Sequence, residues 1–305
     1  MKTLRALLVL GRVSNLPTIW SNCLCGWLLG MGFSGEEQID WFVFGLLTLG
    51  ATGLYIGGMY LNDACDALWD RKHRPERPIP AGHIEGKTVW LLGIGMMAGG
   101  MFFICLQGGT TAILALCLFN LILIYNFLHK GIGWSPLLIA GCRLLLILLA
   151  ACHAYTYSVG QEEAPASFFM SSAGGVATWT ALGLFSYVAG LGWLAKVESE
   201  PGLVRVWPCL LLALPIGLAV LMNSGEYRRD ALMMSAILGL WLLRSLRTTF
   251  WVEQPDIGRT VGGLLAGIVL VDLLAVAALV PSGFAVVFVG LFALALAAQR
   301  WVPAT

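Results

Sequence analysis

Long apolar runs separated by short polar connections dominate the chain. A bilayer span needs about 20 mostly apolar residues. Ten runs approach that length: 14–33, 41–61, 88–106, 110–128, 135–155, 168–195, 204–222, 231–249, 260–280 and 283–300. Their lengths and flanks favour helices over strands. The pattern therefore predicts an all-α integral membrane protein, a multi-pass bundle of nine to ten transmembrane helices that forms one domain over residues 1–305.

Two places along this pattern leave the number of spans open. The run 168–195 is long and interrupted by glycines, so we expect it to be tilted or kinked. The last two runs are separated only by Pro281 and Ser282. This separation fits either a tight hairpin, which gives ten spans, or one broken segment, which gives nine.

The charged residues are few and unevenly placed. They make up 11% of the chain, against roughly a quarter in a soluble domain, so most of the surface must face lipid. The formal net charge of +1 gives no bulk attraction to nucleic acid. With ten spans and a cytoplasmic N-terminus, 15 of the 18 Lys and Arg residues fall on the inner side. This bias predicts that the N-terminus and the polar loop 62–87 are cytoplasmic.

The most informative polar stretch follows the second run. Asp63, Asp66 and Asp70 are spaced i, i+3 and i+7, so on a helix they share one face. Carboxylates this close repel one another unless cations neutralise them. Mg²⁺ prefers hard oxygen ligands and binds through a few carboxylates together with phosphate oxygens. The stretch therefore predicts a site for Mg²⁺ and a diphosphate, with Asn62 as a neutral neighbour.

Three arginines follow the acidic stretch in the same loop. Arg71, Arg74 and Arg77 suit phosphate binding, but they equally fit the bias of basic residues toward the cytoplasm. Prolines on both sides of Arg77 stiffen its loop. Arg77 is therefore a stronger candidate for phosphate than Arg71 or Arg74.

These stretches resemble the UbiA superfamily of intramembrane prenyltransferases. The resemblance is carried by Asn62-Asp63-x-x-Asp66-x-x-x-Asp70, by Arg77-Pro78-Ile79-Pro80-x-Gly82 and by Arg12-Val13-Ser14-Asn15-Leu16-Pro17-Thr18. It implies a helical bundle around a lipid-open cavity, in which an isoprenoid chain passes from a prenyl diphosphate to a lipid-phase or small-molecule acceptor. It also implies Mg²⁺ as cofactor, held by Asn62, Asp63, Asp66 and Asp70.

The resemblance also assigns roles to side chains elsewhere in the chain. Tyr125 and Lys130 are similar to a Tyr and Lys element at the end of the family's fourth helix, where the Lys contacts diphosphate and assists its departure. An interfacial aromatic and a cytoplasmic anchor are the ordinary alternatives. The implied catalytic residues are Asp63, Asp66, Lys130 and Lys196, and the implied substrate-binding residues are Asn62, Arg77, Tyr125, Arg143 and Tyr187.

The chain departs from the family at the second aspartate-rich motif. The corresponding segment, 187–200, holds no aspartate, and Glu198 and Glu200 diverge by about 200° on a helix. In one interpretation Lys196 supplies the charge of a second Mg²⁺. In the other, ionisation chemistry is lost and the protein is a non-catalytic isoprenoid-lipid binder or transporter. We favour the first.

Arg143 is unusual because it lies in an apolar run. A buried arginine is costly and usually faces a cavity or a partner. We consider an anionic acceptor, pairing with an acid such as Asp272, and a structural role. Gly141-Cys142-Arg143, together with the missing second motif, is similar to the EboC-like branch of the superfamily. That branch does not fix the acceptor, the donor chain length or the oligomeric state.

The predicted reaction also needs walls that keep water from an allylic cation. Aromatic side chains near the motifs can provide cation–π contact. Tyr60, Trp69 and Trp193 are the candidates by proximity, with ordinary packing as the alternative.

Overall fold

A computed structural model describes residues 2–32, 39–159, 165–199, 206–225, 227–277, 279 and 282–304. A 3-10 turn, Val13–Asn15, joins the first two helices. The helices are α1 (Lys2–Leu10), α2 (Leu16–Gly30), α3 (Trp41–His73), α4 (Gly86–Cys105), α5 (Gly109–Leu128), α6 (Ser135–Val159), α7 (Pro165–Met170), α8 (Ser172–Ser199), α9 (Pro208–Met222), α10 (Tyr227–Phe250), α11 (Ile257–Val276) and α12 (Ser282–Ala298).

Each of the ten apolar runs contains a helix. Within the described ranges, seven helices are long and apolar enough to cross a membrane: α3, α4, α5, α6, α8, α10 and α11. The apolar helices α9 and α12 are shorter, and α2 has 15 residues. The all-α membrane architecture is therefore confirmed, whereas the count of nine to ten spans is not.

At both open places in the pattern the structure describes how the neighbouring helices lie. The run 168–195 breaks at Ser171, between α7 and α8, and its glycines continue the helix. The Ser171 Oγ accepts from the Gly174 N–H at 3.0 Å, which caps the start of α8. The last two runs form an antiparallel pair, because the Gln299 Nε2 near the end of α12 donates to the Gly262 oxygen near the start of α11.

The length of α3 carries the acidic stretch beyond the apolar part of the bundle. Its 33 residues span about 50 Å at 1.5 Å per residue, and the hydrocarbon core of a bilayer is about 30 Å thick. The helix begins at an Asp40 cap, whose carboxylate accepts from the Phe42 and Val43 N–H groups. Since it continues to His73, residues 62–73 are helical and only the later part of the expected loop is irregular.

Helices α3 and α4 pack closely against each other, and this packing holds α3 in place in the bundle. The two backbones approach at glycines, as is common between membrane helices. A Cβ on Gly100 would lie 2.6 Å from the Gly50 oxygen and 2.8 Å from the Leu54 nitrogen. Gly99, one residue earlier, has nothing within 4 Å of its added Cβ.

We therefore expect Gly100→Leu to lower the thermal stability of the purified protein in detergent, whereas Gly99→Leu leaves it nearly unchanged. Overpacking a close contact costs typically 1–3 kcal/mol. Light-scattering or fluorescence melting curves of the two variants provide the comparison. Equal losses in both variants would contradict the proposed packing role of Gly100.

Candidate active site

A cavity of about 680 Å³ opens at the end of the bundle where α3 carries the acidic stretch. Pockets of this size hold small ligands. Its interior is apolar apart from Arg143, and its mouth is lined by charged and polar side chains. The apolar lining includes Ile19, Leu54, Leu118, Ile122, Leu146 and Ile268.

The acidic residues of α3 are buried at this mouth. Asp63, Asp66 and Asp70 are 7%, 7% and 2% exposed, and Asp66 and Asp70 line the cavity. One nitrogen, the Arg77 Nη1, lies 2.8 Å from the Asp63 Oδ1 and 3.0 Å from the Asp70 Oδ2. Because a single nitrogen contacts both carboxylates, residues seven apart lie on one face of the helix.

The loop after α3 turns Arg77 back onto that helix. Backbone hydrogen bonds from the Arg77 N–H to the Arg74 oxygen and from the Ala81 N–H to the Arg77 oxygen tighten the turn. Both Arg74 and Arg77 line the cavity, whereas Arg71 is exposed. Arg77 is therefore in a position to contact a bound phosphate. Arg74 is too, although the sequence did not favour it.

Asp66 is held by two side chains that follow α5. The Lys130 Nζ lies 2.7 Å from the Asp66 Oδ1, and the His129 Nε2 lies 3.3 Å from the Oδ2. The Lys130 ammonium is also 4.4 Å from the centre of the Trp69 ring, and the His129 ring stacks on Tyr125. The sequence analysis did not predict a role for His129. Its position next to Lys130 in the sequence is the signal that could have identified it.

Arg12 is a further cation at the mouth. It lines the cavity. Its backbone φ of 42° lies in the left-handed region, which residues other than glycine rarely adopt. Burial alone would lower the pKa of Arg12, but charge interactions, chiefly with Asp63, raise it above its ordinary value. The guanidinium therefore stays charged beside the acids, and strained backbone of this kind often marks a functional position.

Cations outnumber the acids at the mouth. The lining acids are Asp66 and Asp70, and Asp63 lies directly behind them under Arg77. The lining cations near the mouth are Arg12, Arg74, Arg77, Lys130 and Lys196. The excess of positive charge makes this end of the cavity attractive to an anion with several charges.

The donor set fits a magnesium ion that binds together with a phosphate. Among the described residues, no group of three or more His, Cys, Asp or Glu side chains is arranged to hold a metal by itself. Mg²⁺, however, is usually bound through one or two carboxylates plus substrate phosphates. The Asp70 Oδ1 is buried without a hydrogen-bond partner. The Asn62 Nδ2 donates to the Asn126 Oδ1 at 3.4 Å, so the hydrogen bond does not use the Asn62 side-chain oxygen.

The structure brings most of the other predicted residues to the cavity. Tyr125, Arg143 and Lys196 line it, and the Lys196 Nζ donates to the Gly133 oxygen at 3.4 Å. Tyr187 is not among the lining residues. It is fully buried, and its hydroxyl donates to the Leu264 oxygen at 2.8 Å.

The predicted aromatic walls are only partly present. Of the three candidates, Trp69 lines the cavity. The Tyr60 hydroxyl donates to the Leu7 oxygen under α1, and Trp193 packs against Trp207. The Glu198 side chain and the whole of Glu200 lie outside the described residues.

Comparison with known proteins identifies related chains. The family model of the UbiA prenyltransferase family matches residues 23–185. A digeranylgeranylglyceryl phosphate synthase of Methanopyrus kandleri is 29% identical over 200 residues, which cover 55% of this chain and 70% of that protein. A synthase of the same name from Metallosphaera sedula is 38% identical over 60 residues, 20% of this chain and 21% of that protein.

Solved structures share the fold over most of the chain. A UbiA homolog from Aeropyrum pernix K1 has a TM-score of 0.63 at 15% identity, covering 87% of this chain and 97% of that one. A structure from work on digeranylgeranylglyceryl phosphate synthase in membranes has a TM-score of 0.55 at 16% identity, covering 96% and 100%.

Proposed function

Because this chain belongs to the UbiA prenyltransferase family and is a prenyltransferase, we propose that it transfers an isoprenoid chain from a prenyl diphosphate to an acceptor in a Mg²⁺-dependent reaction. The observation that carries the proposal is the arrangement of charges at the mouth of the apolar cavity. A face of buried acids and a surplus of cations meet where the polar head of such a donor would bind. The apolar interior suits its hydrocarbon chain.

The basic side chains stabilise the leaving group. When the allylic C–O bond breaks, the electron pair stays on the diphosphate, so negative charge grows on its oxygens. Cations fixed near those oxygens stabilise the transition state more than the bound donor. Lys130 and Arg77 contact the acids of α3 directly, and Lys196 lines the same cavity. An acceptor lone pair then forms the new bond, and the acceptor passes its proton to the released diphosphate.

Magnesium completes the charge balance in this proposal. Asn62, Asp63, Asp66 and Asp70 would hold the ion, and Mg²⁺ bound there neutralises charge on the diphosphate. The protein's own contribution is to keep these oxygens on one face and to surround them with Arg12, Arg77 and Lys130. In this proposal the chain has one metal-binding face where the family has two. The positive charge of Lys196 takes the place of the second metal ion.

The walls of the cavity protect the allylic cation. Trp69 and Tyr125 line the cavity next to the acids. The Trp69 ring already contacts Lys130 and stacks on His73, so the Tyr125 ring, which among the described residues is stacked on one side only, by His129, is the one that can stabilise a nearby cation. The aliphatic lining below them excludes water, which would otherwise capture the cation.

The names of the relatives suggest the first donor to test. Both are digeranylgeranylglyceryl phosphate synthases, so geranylgeranyl diphosphate is the donor we propose to try first, with a lipid-phase acceptor. The alternative is a protein that binds or moves an isoprenoid lipid without turnover, an interpretation favoured by the missing second motif.

One experiment separates the two. Purified protein is incubated with Mg²⁺, a series of prenyl diphosphates and a membrane lipid extract, and mass spectrometry follows released diphosphate and prenylated product. Release and product together support the transferase. Saturable binding without release supports the lipid binder.

The topology is part of the proposal. We place the N-terminus and residues 62–87 on the cytoplasmic side, because the basic side chains gather at the end where the cavity opens. Labelling of single cysteines by a membrane-impermeant reagent in inside-out and right-side-out vesicles tests this orientation.

The substitution of Lys196 for a second metal gives a quantitative prediction. We expect Lys196→Ala to lower kcat/KM for the prenyl diphosphate about 10- to 100-fold, since a fixed cation near developing charge contributes this much or more. Lys87→Ala is the matched control, because Lys87 is exposed on the first turn of α4 and does not line the cavity. Unchanged diphosphate affinity and turnover in Lys196→Ala would eliminate the metal-substitute role.

A further inference from the structure

Arg143 is a second cationic centre, deeper in the same cavity than the acids. Its side chain lines the cavity and is 8% exposed. Ser135, at the start of α6, lines the mouth, and eight residues of helix correspond to about 12 Å. Arg143 therefore lies well below the cations that surround the diphosphate in the proposed function.

The guanidinium of Arg143 is held by neutral groups of α2. Its Nη1 donates to the Thr18 oxygen at 3.1 Å and to the Asn22 Oδ1 at 2.7 Å, and its Nη2 donates to the Thr18 Oγ1 at 2.8 Å. A guanidinium has five N–H donors. Among the described residues, the remaining two, on Nε and Nη2, have no hydrogen-bond partner, although buried donors are nearly always satisfied.

The charge of Arg143 is balanced from behind the cavity wall. Asp272 of α11 is fully buried and does not line the cavity. Its Oδ2 accepts from the Ser21 Oγ at 2.5 Å and from the Asn22 Nδ2 at 2.7 Å. Asn22 therefore connects the two charges, with its carbonyl toward Arg143 and its amide toward Asp272.

This arrangement differs from that of a structural ion pair. Within the described part of the chain, no carboxylate lies within 4 Å of Arg143. A purely structural arginine would be neutralised by direct contact and sealed from the cavity. Here neutral side chains fix the guanidinium, and a charged, fork-shaped donor still faces the cavity beside the Tyr55 ring, whose centre is 6.0 Å from its Cζ.

We propose that Arg143 binds an anionic group, a carboxylate or a phosphate, on the prenyl acceptor, and that Asp272 acts through Asn22 as a positioning residue for it. The two unpartnered N–H groups suit bidentate contact with such a group. The inference rests on the proposed function, because only a prenyltransferase has an acceptor. In this arrangement the acceptor's anionic group lies deep in the cavity at Arg143, and its nucleophile points toward the mouth and the diphosphate.

Equilibrium binding tests the inference without turnover. The purified full chain is first saturated with Mg²⁺ and a non-hydrolysable geranylgeranyl thiolodiphosphate. Calorimetry then compares two matched pairs of probes, each with and without its anionic group. These are geranylgeranylglyceryl phosphate against geranylgeranylglycerol, and 4-hydroxybenzoate against 4-hydroxybenzamide.

We expect one anionic probe to bind at least 10-fold more tightly than its neutral partner, and the pair that shows the preference identifies the source of the anion. In Arg143→Gln the preference falls to within about twofold. Arg244→Gln, a control on an exposed arginine of α10 outside the cavity, keeps it. Arg143→Lys retains the positive charge but not the paired N–H donors of the guanidinium, and we expect it to give an intermediate preference. It replaces Arg143→Gln in the test if the Gln variant does not purify as a folded protein.

The outcomes separate this inference from the proposed function. If the wild-type protein does not bind the thiolodiphosphate, the proposed function fails. If it binds the thiolodiphosphate but neither anionic probe exceeds its neutral partner, or if the preference survives Arg143→Gln, only the anion subsite is refuted.

Asp272→Asn tests the positioning role in the same assay. The asparagine keeps the shape and an acceptor for Ser21 but loses the charge. We expect the preference for the anionic probe to fall several-fold while the neutral probe binds as before. Equal weakening of both probes would show a structural role alone and would refute the positioning assignment.

Discussion

Asp66→Asn is expected to reduce prenyl diphosphate turnover about 10³-fold, the upper range for loss of one fixed electrostatic group in an active site. Asp66 lines the cavity, holds Lys130 at 2.7 Å and His129 at 3.3 Å, and belongs to the proposed magnesium set. The asparagine keeps the size of the side chain but removes the charge. Both the metal and the lysine lose their fixed partner at once.

The control for this substitution is Asp230→Asn, because Asp230 is exposed on the first turn of α10. Release of diphosphate from geranylgeranyl diphosphate is measured under single-turnover conditions, so that product release does not mask the chemical step. Since Asp66 and Lys130 act as a pair, Asp66→Asn/Lys130→Met should be little slower than Asp66→Asn. Full Mg²⁺-dependent turnover in Asp66→Asn would contradict the assigned role of the acidic face.

The acidic face could be predicted because it depends only on local periodicity. Asp63, Asp66 and Asp70 lie within eight residues of helix without an internal glycine or proline, and such a helix fixes their common side whatever surrounds it. Their burial at a cavity mouth was not part of this prediction, and the cavity itself was implied only by the family resemblance. The part of the site that belongs to one helix was therefore accessible from the sequence.

Contacts between distant segments were less accessible. Nothing in the sequence shows that one nitrogen of Arg77 would contact both Asp63 and Asp70, because that contact depends on how the loop turns after His73. Arg12 could be noted as part of a resemblance, but its left-handed backbone and the effect of the Asp63 charge on it depend on how the chain turns between α1 and α2. Tyr187 shows the opposite case, since its position in the segment suggested substrate and its packing directs it to Leu264.

Hydropathy by itself does not fix the number of spans. Hydropathy finds apolar runs, and a run becomes a full span only when its helix is long enough for the bilayer. The helices in the first and seventh runs have 15 residues each. Buried on nearly all sides, α2 instead contributes Thr18, Ser21 and Asn22 to the polar network around Arg143. Its length reflects a role inside the bundle.

Removal of magnesium is expected to abolish turnover, with a fall of at least about 10³-fold on chelation and recovery on adding Mg²⁺ back. The structure adds a more specific expectation. Arg77 Nη1 lies between Asp63 and Asp70, and Lys130 holds Asp66, so cationic side chains already neutralise the acids. Mg²⁺ alone should therefore bind weakly, and a prenyl diphosphate should increase its affinity by bringing phosphate ligands.

Calorimetric titration of Mg²⁺ with and without geranylgeranyl thiolodiphosphate measures this coupling, which must be reciprocal between the two ligands. We expect at least a 10-fold gain in Mg²⁺ affinity when the diphosphate is present. In Arg77→Met the acids lose a competing cation, so Mg²⁺ alone should bind more tightly and the gain should shrink. Tight Mg²⁺ binding to the wild-type protein without diphosphate, or turnover that survives chelation, would contradict a metal site completed by its substrate.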